Sequence, residues 1–365
     1  MIMKPKTFLD RFGSASRPPA RPILLLGPPG IGKSETVRQL AQALASRLGL
    51  EFREWSQGME IDPSKHFVFV EFRLSGTRDV DLLGLPNVIA DPSAETFSYR
   101  VPEWLSVLAR SGQRGMLFVD EITNPASDDV KAVLMQLLGS RRIGFVKLSP
   151  GIWIVAAGNR PEHSVLASEL AAPVVNRLRI IEFEAPNVSE WVEFMTSHYD
   201  LSDRSRPVFA FLTAKPDFLV TETVSESSLE PYPTPRAWTG FILDLESGLA
   251  NYDDVDQYVG SEAGAAFRSF MSYRIDVGRA LSDIDYFKSL EFDQQLYVIG
   301  MAKADKLADW ITSVGIKDGE VMELAVVAIR FLPAKARARA VREIMRLARK
   351  DKRLRSVLSE LVGGA

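Results

Sequence analysis

The residues best suited to do chemistry stand together in Gly27-Pro28-Pro29-Gly30-Ile31-Gly32-Lys33-Ser34, with Glu35 next in the chain. Three glycines let backbone N–H groups turn inward around phosphate oxygens, and a helix starting at the lysine adds its partial positive charge. The Lys33 ammonium then reaches the β- and γ-phosphates of a nucleotide, and the Ser34 hydroxyl meets Mg²⁺. A second group is Met116-Leu117-Phe118-Val119-Asp120-Glu121, where an apolar run delivers two carboxylates to one point. Asp120 suits the Mg²⁺ ion, directly or through water, and Glu121 suits activation of a water for attack on the γ-phosphate. A third run, Trp153-Ile154-Val155-Ala156-Ala157, ends at Gly158-Asn159. The Asn159 amide offers both donor and acceptor, enough to orient a water or touch the γ-phosphate. Two arginines, Arg177 and Arg236, have the guanidinium that stabilises charge on a transferring phosphoryl group. Spacing alone leaves open whether either is an ordinary surface residue.

These groups need elements that hold them. Ile23–Leu26 is a continuous apolar run, the pattern of a strand buried on both faces, and it ends at Gly27. From Ser34 the positions Val37, Leu40, Ala41, Leu44 and Leu48 recur with helical spacing, and Gly49 closes the segment. Further short apolar runs at 67–72, 116–119, 152–156 and 178–183 alternate with helical or polar stretches. That alternation predicts an α/β module with a mostly parallel sheet covered on both faces, and ligands bind at the carboxyl ends of such strands. Two insertions read as hairpins. One lies in the polar segment 85–102, with Asp91-Pro92-Ser93 as its turn and 96–101 as a strand; the other spans Arg142–Leu148. After Pro186 the texture becomes helical, with helices predicted over 189–198 and 235–249 and a polar loop over 221–234 between them. The expected organisation is a lead-in over 1–20, an α/β nucleotide module over 21–186, a helical lid over 187–273 and a helical extension over 274–365.

Composition bounds the rest. The chain has 365 residues, 46% of them hydrophobic and 25% charged, which excludes collagen-like, disulfide-stapled and broadly disordered classes. At this length two compact units are expected, because single cores stop growing at roughly 250–300 residues. With no cysteine and only His66, His163 and His198 there is neither a disulfide framework nor a thiolate zinc site. No run is long enough for a signal peptide or a membrane span, so the cytoplasm is the expected compartment, without membrane attachment. The net charge of −3 conceals an asymmetry: residues 333–355 hold ten basic and two acidic side chains, a net +8 that leaves −11 on the remainder. The apolar positions Val341, Ile344, Met345, Leu347 and Ala348 make this segment an amphipathic helix with a basic face. Such a face suits a solvated surface, a subunit contact or nucleic acid.

Taken in order, the motifs resemble those of an AAA+ ATPase, and more narrowly the MoxR-like, dynein-related branch, over residues 20–270. Beyond the two motifs already described, the resemblance rests on Asp81-Leu82-Leu83-Gly84, Lys131-Ala132-Val133-Leu134-Met135, Ala157-Gly158-Asn159-Arg160-Pro161, Asn176-Arg177-Leu178 and Pro235-Arg236-Ala237. It implies ATP and Mg²⁺ as cofactors, and it assigns sensor 1 to Asn159, an arginine finger to Arg177 and sensor 2 to Arg236. It also identifies the hairpins as the helix-2 insert and the pre-sensor-1 hairpin. A finger acting on nucleotide in the adjacent subunit implies a homo-oligomeric ring, usually a hexamer. Hydrolysis would remodel or mature a protein partner, with a von Willebrand factor A domain protein as the expected one. The sequence departs from the family in Arg160, where relatives often have proline, and in Asn-Arg-Leu, where Asp-Arg-Phe is common. Three other readings share the P-loop. A DNA or RNA motor or loader draws on the basic C-terminal segment, whereas Glu121 argues against a scaffold with negligible turnover. A small-molecule kinase needs neither the finger nor the hairpins.

Overall fold

The computed structural model describes residues 2–87, 98–160, 162, 170, 172–221 and 230–349, and the chain divides into two compact units, Met1–Ala185 and Pro186–Ala365. Unit 1 runs β1 (Ile2–Met3), α1 (Pro5–Gly13), β2 (Ile23–Leu26), α2 (Lys33–Arg47), β3 (Glu51–Glu54), β4 (His66–Arg73), α3 (Asp79–Leu83), β5 (Leu85–Pro86), β6 (Tyr99–Arg100), α4 (Glu103–Ala109), β7 (Arg114–Asp120), α5 (Asp128–Ser140), β8 (Arg142–Ile143), β9 (Val146–Lys147), β10 (Gly151–Gly158), α6 (Ala172–Val175) and β11 (Arg179–Phe183). Seven of these strands form one sheet in the order β1-β11-β2-β10-β7-β4-β3, and every pairing in it is parallel.

Why the runs are apolar without interruption is visible in the packing. Successive side chains on a strand point to opposite faces, and here each face has its own core. Leu24, Leu26, Val68, Val70, Leu117, Val119, Ile154 and Ala156 pack on one side with Trp104, Leu105 and Leu108 of α4 and Val130, Leu134 and Leu137 of α5. Ile23, Leu25, Phe67, Phe69, Met116, Phe118, Trp153 and Val155 pack on the other with Val37, Leu40, Ala41 and Leu44 of α2. This is a P-loop NTPase-like α/β sandwich, a parallel sheet between two helical layers.

The five predicted strands are all present, and two edge strands join them. β3 reads Glu-Phe-Arg-Glu with none of its residues buried, so it has no apolar signature. The segment expected as a lead-in contains β1 and α1. Met3 sits beside β11, and Phe8 and Phe12 are buried, 4.8 Å apart, with Phe8 edge-on to Phe183 at 6.0 Å. Two aromatics one turn apart bury one stripe of an otherwise polar helix, which makes this segment part of the fold. Both insertions are antiparallel hairpins, β5 with β6 and β8 with β9. The turn expected at 91–93 and most of the loop expected at 221–234 lie outside the described residues.

Unit 2 is helical throughout its described residues: α7 (Val188–His198), α8 (Arg206–Ala214), α9 (Pro235–Ser247), α10 (Asp256–Met271), α11 (Val277–Ser282), α12 (Ile284–Ser289), α13 (Phe292–Met301), α14 (Ala304–Trp310), α15 (Met322–Phe331) and α16 (Ala334–Ala348). One core runs from Val188 to Ala348 and includes Trp191, Phe211, Trp238, Phe267, Tyr297 and Trp310. The boundary expected at 273/274 falls inside that core. α8 and α13 approach so closely that a Cβ on Gly300 would stand 2.8 Å from the Ala210 side chain. Buried Arg206 donates to the Ala302 carbonyl and pairs with Asp203, tying the two segments together. No described helix is long and apolar enough to cross a membrane.

If α1 is integral to unit 1, Phe8→Ala should destabilise it by about 3 kcal/mol or more through the cavity it leaves. A denaturant midpoint equal to that of the unaltered chain would restore the lead-in reading.

Candidate nucleotide site

β2 delivers the chain to Gly27, whose close approach no other residue permits: a Cβ there would stand 2.2 Å from the Phe183 carbonyl oxygen of neighbouring β11. The loop then turns through Gly30 and Gly32, which have φ values of 76° and 92°, in the left-handed region that favours glycine. Gly32 is the N-cap of α2, so the helix begins at Lys33 and its unsatisfied N–H groups face the loop.

Lys33 is nearly buried, at 8% exposure. Its Nζ donates to the carbonyl oxygens of Gly27 at 2.8 Å and Pro28 at 2.7 Å, and to Oδ1 of Asn159 at 2.9 Å. The ammonium therefore joins the loop after β2 to the end of β10. Asn159 is held from its other side by its backbone N–H, which donates to Thr123 Oγ1 at 3.1 Å. One residue along α2, Ser34 Oγ donates to Asp120 Oδ2 at 2.7 Å, so a hydroxyl and a carboxylate share one point at the end of β7. Hard oxygen donors in that arrangement fit Mg²⁺, which keeps several waters and takes one or two protein ligands beside phosphate.

Glu121 leaves β7 with φ +57°, a left-handed conformation that costs a non-glycine residue about 1–2 kcal/mol. Its surroundings hold it there: its N–H donates to Asp120 Oδ1 at 2.9 Å, its carbonyl accepts from the Asn124 N–H at 2.8 Å, and Ile122 N–H donates to Ala157 O at 3.0 Å. Strain of this kind concentrates at functional positions. It turns the carboxylate out of the strand, where the Ser75 hydroxyl donates to Glu121 Oε2.

A turn further along α2, Arg38 pairs with Glu71 of β4, at 3.3 Å, and with Glu54 of β3. Burial pushes the Glu71 carboxyl up; Arg38 opposes that shift and the charge of Asp120 adds to it. Arg160, next to Asn159, forms a two-point ion pair with Glu182 of β11, and that hydrogen bond raises its already high pKa. The arginine that departs from the family pattern thus fastens the end of β10 to β11.

The structure brings Lys33 into contact with Asn159 and Ser34 into contact with Asp120, with Glu121 next to Asp120 in the chain. It does not bring Arg177 to them. Arg177 precedes β11, whose register pairs Arg179 with Ile23 and Glu182 with Leu26, so it lies off the amino ends of the strands. The nucleotide loop follows Leu26, at least ~10 Å further along the strand axis. Arg177 is exposed, its guanidinium lies against Gly139 of α5, and Nη1 donates to Pro173 O at 3.4 Å. Arg236 belongs to unit 2, where it is exposed in the first turn of α9 behind the N-cap Thr234. Glu35 faces along α2 and accepts from Gln39 Nε2 at 3.1 Å. Sequence reading missed Ser75 and Thr123, which no motif marks; their signal is position, each just beyond the carboxyl end of a sheet strand.

Residues 23–183 match the model of the ATPase family associated with various cellular activities (AAA). The matched segment opens on the first residue of β2 and closes on the last of β11. No curated protein matches the chain. Among solved structures, NtrX from Brucella abortus is 14% identical over 97% of this chain and 66% of that one, with a TM-score of 0.38. This chain thus spans just under two thirds of that protein. A mutant of Thermotoga maritima RuvB is 17% identical over 78% of this chain and 80% of that one, with a TM-score of 0.33. Overlaps this loose carry no weight beside the AAA match and the site geometry.

The geometry predicts separable losses. Glu121→Gln should reduce ATP hydrolysis by at least about 100-fold, the typical contribution of a positioned general base, and leave nucleotide binding in place. Lys33→Ala should abolish binding itself. Hydrolysis by Glu121→Gln at the unaltered rate would show that Glu121 does not activate the water.

Proposed function

We propose that this chain is a Mg²⁺-dependent ATPase that works as a homo-oligomeric AAA+ ring of the MoxR-like branch, a hexamer in the cytoplasm. The observation that carries the proposal is the joining of three strand ends through Lys33–Asn159 and Ser34–Asp120, with Glu121 held next to them. In this reading the loop amides and Lys33 bind the phosphates of ATP, while Ser34 and Asp120 hold Mg²⁺, which supplies charge neutralisation at the β- and γ-phosphates. Glu121 accepts the proton of the attacking water. Asn159, anchored by Thr123 and Lys33, orients that water or the γ-phosphate.

The ring rests on the assignment of Arg177 as a finger, which comes from the motif Asn176-Arg177-Leu178. A guanidinium off the amino ends of the strands cannot reach a phosphate held off the carboxyl ends of the same sheet, since an arginine side chain is shorter than that separation. Acting as a finger, it serves the nucleotide of a neighbouring copy, the trans arrangement that supplies a large rate factor in phosphoryl transfer. Arg236 enters as sensor 2 through the motif Pro235-Arg236-Ala237 alone.

Remodelling or maturation of a protein partner, with a von Willebrand factor A domain protein as the expected one, comes from the resemblance; what the two hairpins support is contact with a protein. Phe145 at the tip of β8–β9 is 84% exposed and lies 5.8 Å from Tyr99 of β6, with exposed Leu85 on β5. Apolar side chains grouped in this way mark contact surfaces for protein.

Mixing tests the trans assignment. Arg177→Ala and Lys33→Ala chains should each be inactive alone and recover part of the ATPase rate together, because an Arg177-bearing copy can complete a neighbour that still binds nucleotide. No recovery at any ratio would remove both the finger and its argument for a ring.

A further inference from the structure

α16 has two unlike faces. Ala340, Ile344 and Ala348 are buried in the core of unit 2. Arg337 turns inward as well, its Nη2 donating to the carbonyl oxygens of Arg330 at 2.9 Å and Leu332 at 3.1 Å, where it closes the end of α15. The helix is thereby fixed in place. The opposite face carries Lys335, Arg339, Arg342, Arg346 and Arg349, all exposed. They fall one per turn, alternately four and three residues apart, in a row about 21 Å long at 1.5 Å per residue. Among the described residues two carboxylates border the row: Asp309 of α14, paired with Arg339, and Glu343, which Arg346 Nε reaches at 3.0 Å. Among the described residues the face has five cations to two carboxylates, and Ala334, Ala338 and Met345 are the other exposed side chains of α16. In the sequence, Lys350, Lys352, Arg353 and Arg355 follow.

We propose that this face of α16 binds the phosphate backbone of double-stranded DNA. A straight row of cations at one-turn intervals on an immobilised helix matches a partner whose negative charge is itself regular. Arginine is the residue that engages phosphate at two points. The row has no aromatic side chain on which unpaired bases could stack, as single-strand binders use. Guanidinium and ammonium groups also donate to a ribose 2′-hydroxyl, so an RNA duplex of the same length is the comparison that decides between the two backbones. Contacts of this kind position a duplex without reading its sequence. The surface goes beyond the ATPase reading and stands without it, because none of its residues belongs to the nucleotide site.

The test is anisotropy of a labelled DNA duplex of arbitrary sequence, titrated with the full chain between about 50 and 200 mM salt. The logarithm of the binding constant should fall linearly with that of salt concentration, with a slope of about −3 or steeper, at about −0.9 per phosphate neutralised. Arg342→Gln should make the slope shallower by about one. Replacing Arg339, Arg342 and Arg346 together by glutamine should weaken binding at least about tenfold at the lowest salt. Melting curves accompany each variant, and the single variant decides the matter if the triple one fails to fold. Absence of duplex binding at the lowest salt, or a slope the glutamines leave unchanged, would overturn the proposal. So would tighter binding of single-stranded DNA, an RNA duplex or polyglutamate, the last assigning the face to an acidic protein.

Discussion

The register of the parallel sheet governs what the rest of unit 1 can do. Leu26 pairs with Gly158 across β2 and β10, Val119 with Ala156 across β7 and β10, and Asp120 with Arg73 across β7 and β4. These pairings bring the ends of four strands to one line, so the loops after them emerge side by side. Lys33, Asp120, Glu121, Asn159 and Ser75 come from distant parts of the chain and meet only because of that alignment. A shift of one residue in any of these strands would exchange its faces between the two cores and withdraw its contribution.

Hydrogen bonds at the edge convert alignment into geometry. Lys33 joins the first loop to β10, Ser34 joins α2 to β7, and Arg38 joins the next turn of α2 to β4 and β3. Thus α2 is fastened along one face to successive strand ends, and the strained backbone at Glu121 is tolerated because its neighbours are themselves held. Arg160 and Glu182 do the same between β10 and β11. An arginine that seemed a departure from the family pattern becomes a strut in this setting.

Most of this was legible in the chain. Runs such as Ile23–Leu26 and Met116–Val119 announced buried parallel strands because both faces of the sheet are covered, and the glycine-rich turn lay where a strand meets a helix. What escaped reading lacked either length or apolarity. β1 has two residues, and β3 is polar because an edge strand needs less burial. Ser75 and Thr123 are ordinary turn residues until the fold places them beside Glu121 and Asn159. The continuous core of unit 2 was hidden for another reason: helical periodicity shows which side of α8 or α13 is apolar, but not which helix it will meet.

The two edges of the sheet have a bearing on how this protein survives its own folding. A seven-stranded parallel sheet is assembled from contacts distant in sequence, which form slowly, and until it closes its unpaired backbone groups can template association with other chains. One edge is β1, whose described residues Ile2–Met3 give way at once to Pro5 at the start of α1, a residue with no N–H to offer a foreign strand. The other is β3, which places Glu51, Arg53 and Glu54 along the exposed border. The strands most dangerous to expose, apolar on both faces, are thus the inner ones. The polar, abbreviated borders that made β1 and β3 hard to find are what keep the growing sheet from adding another molecule.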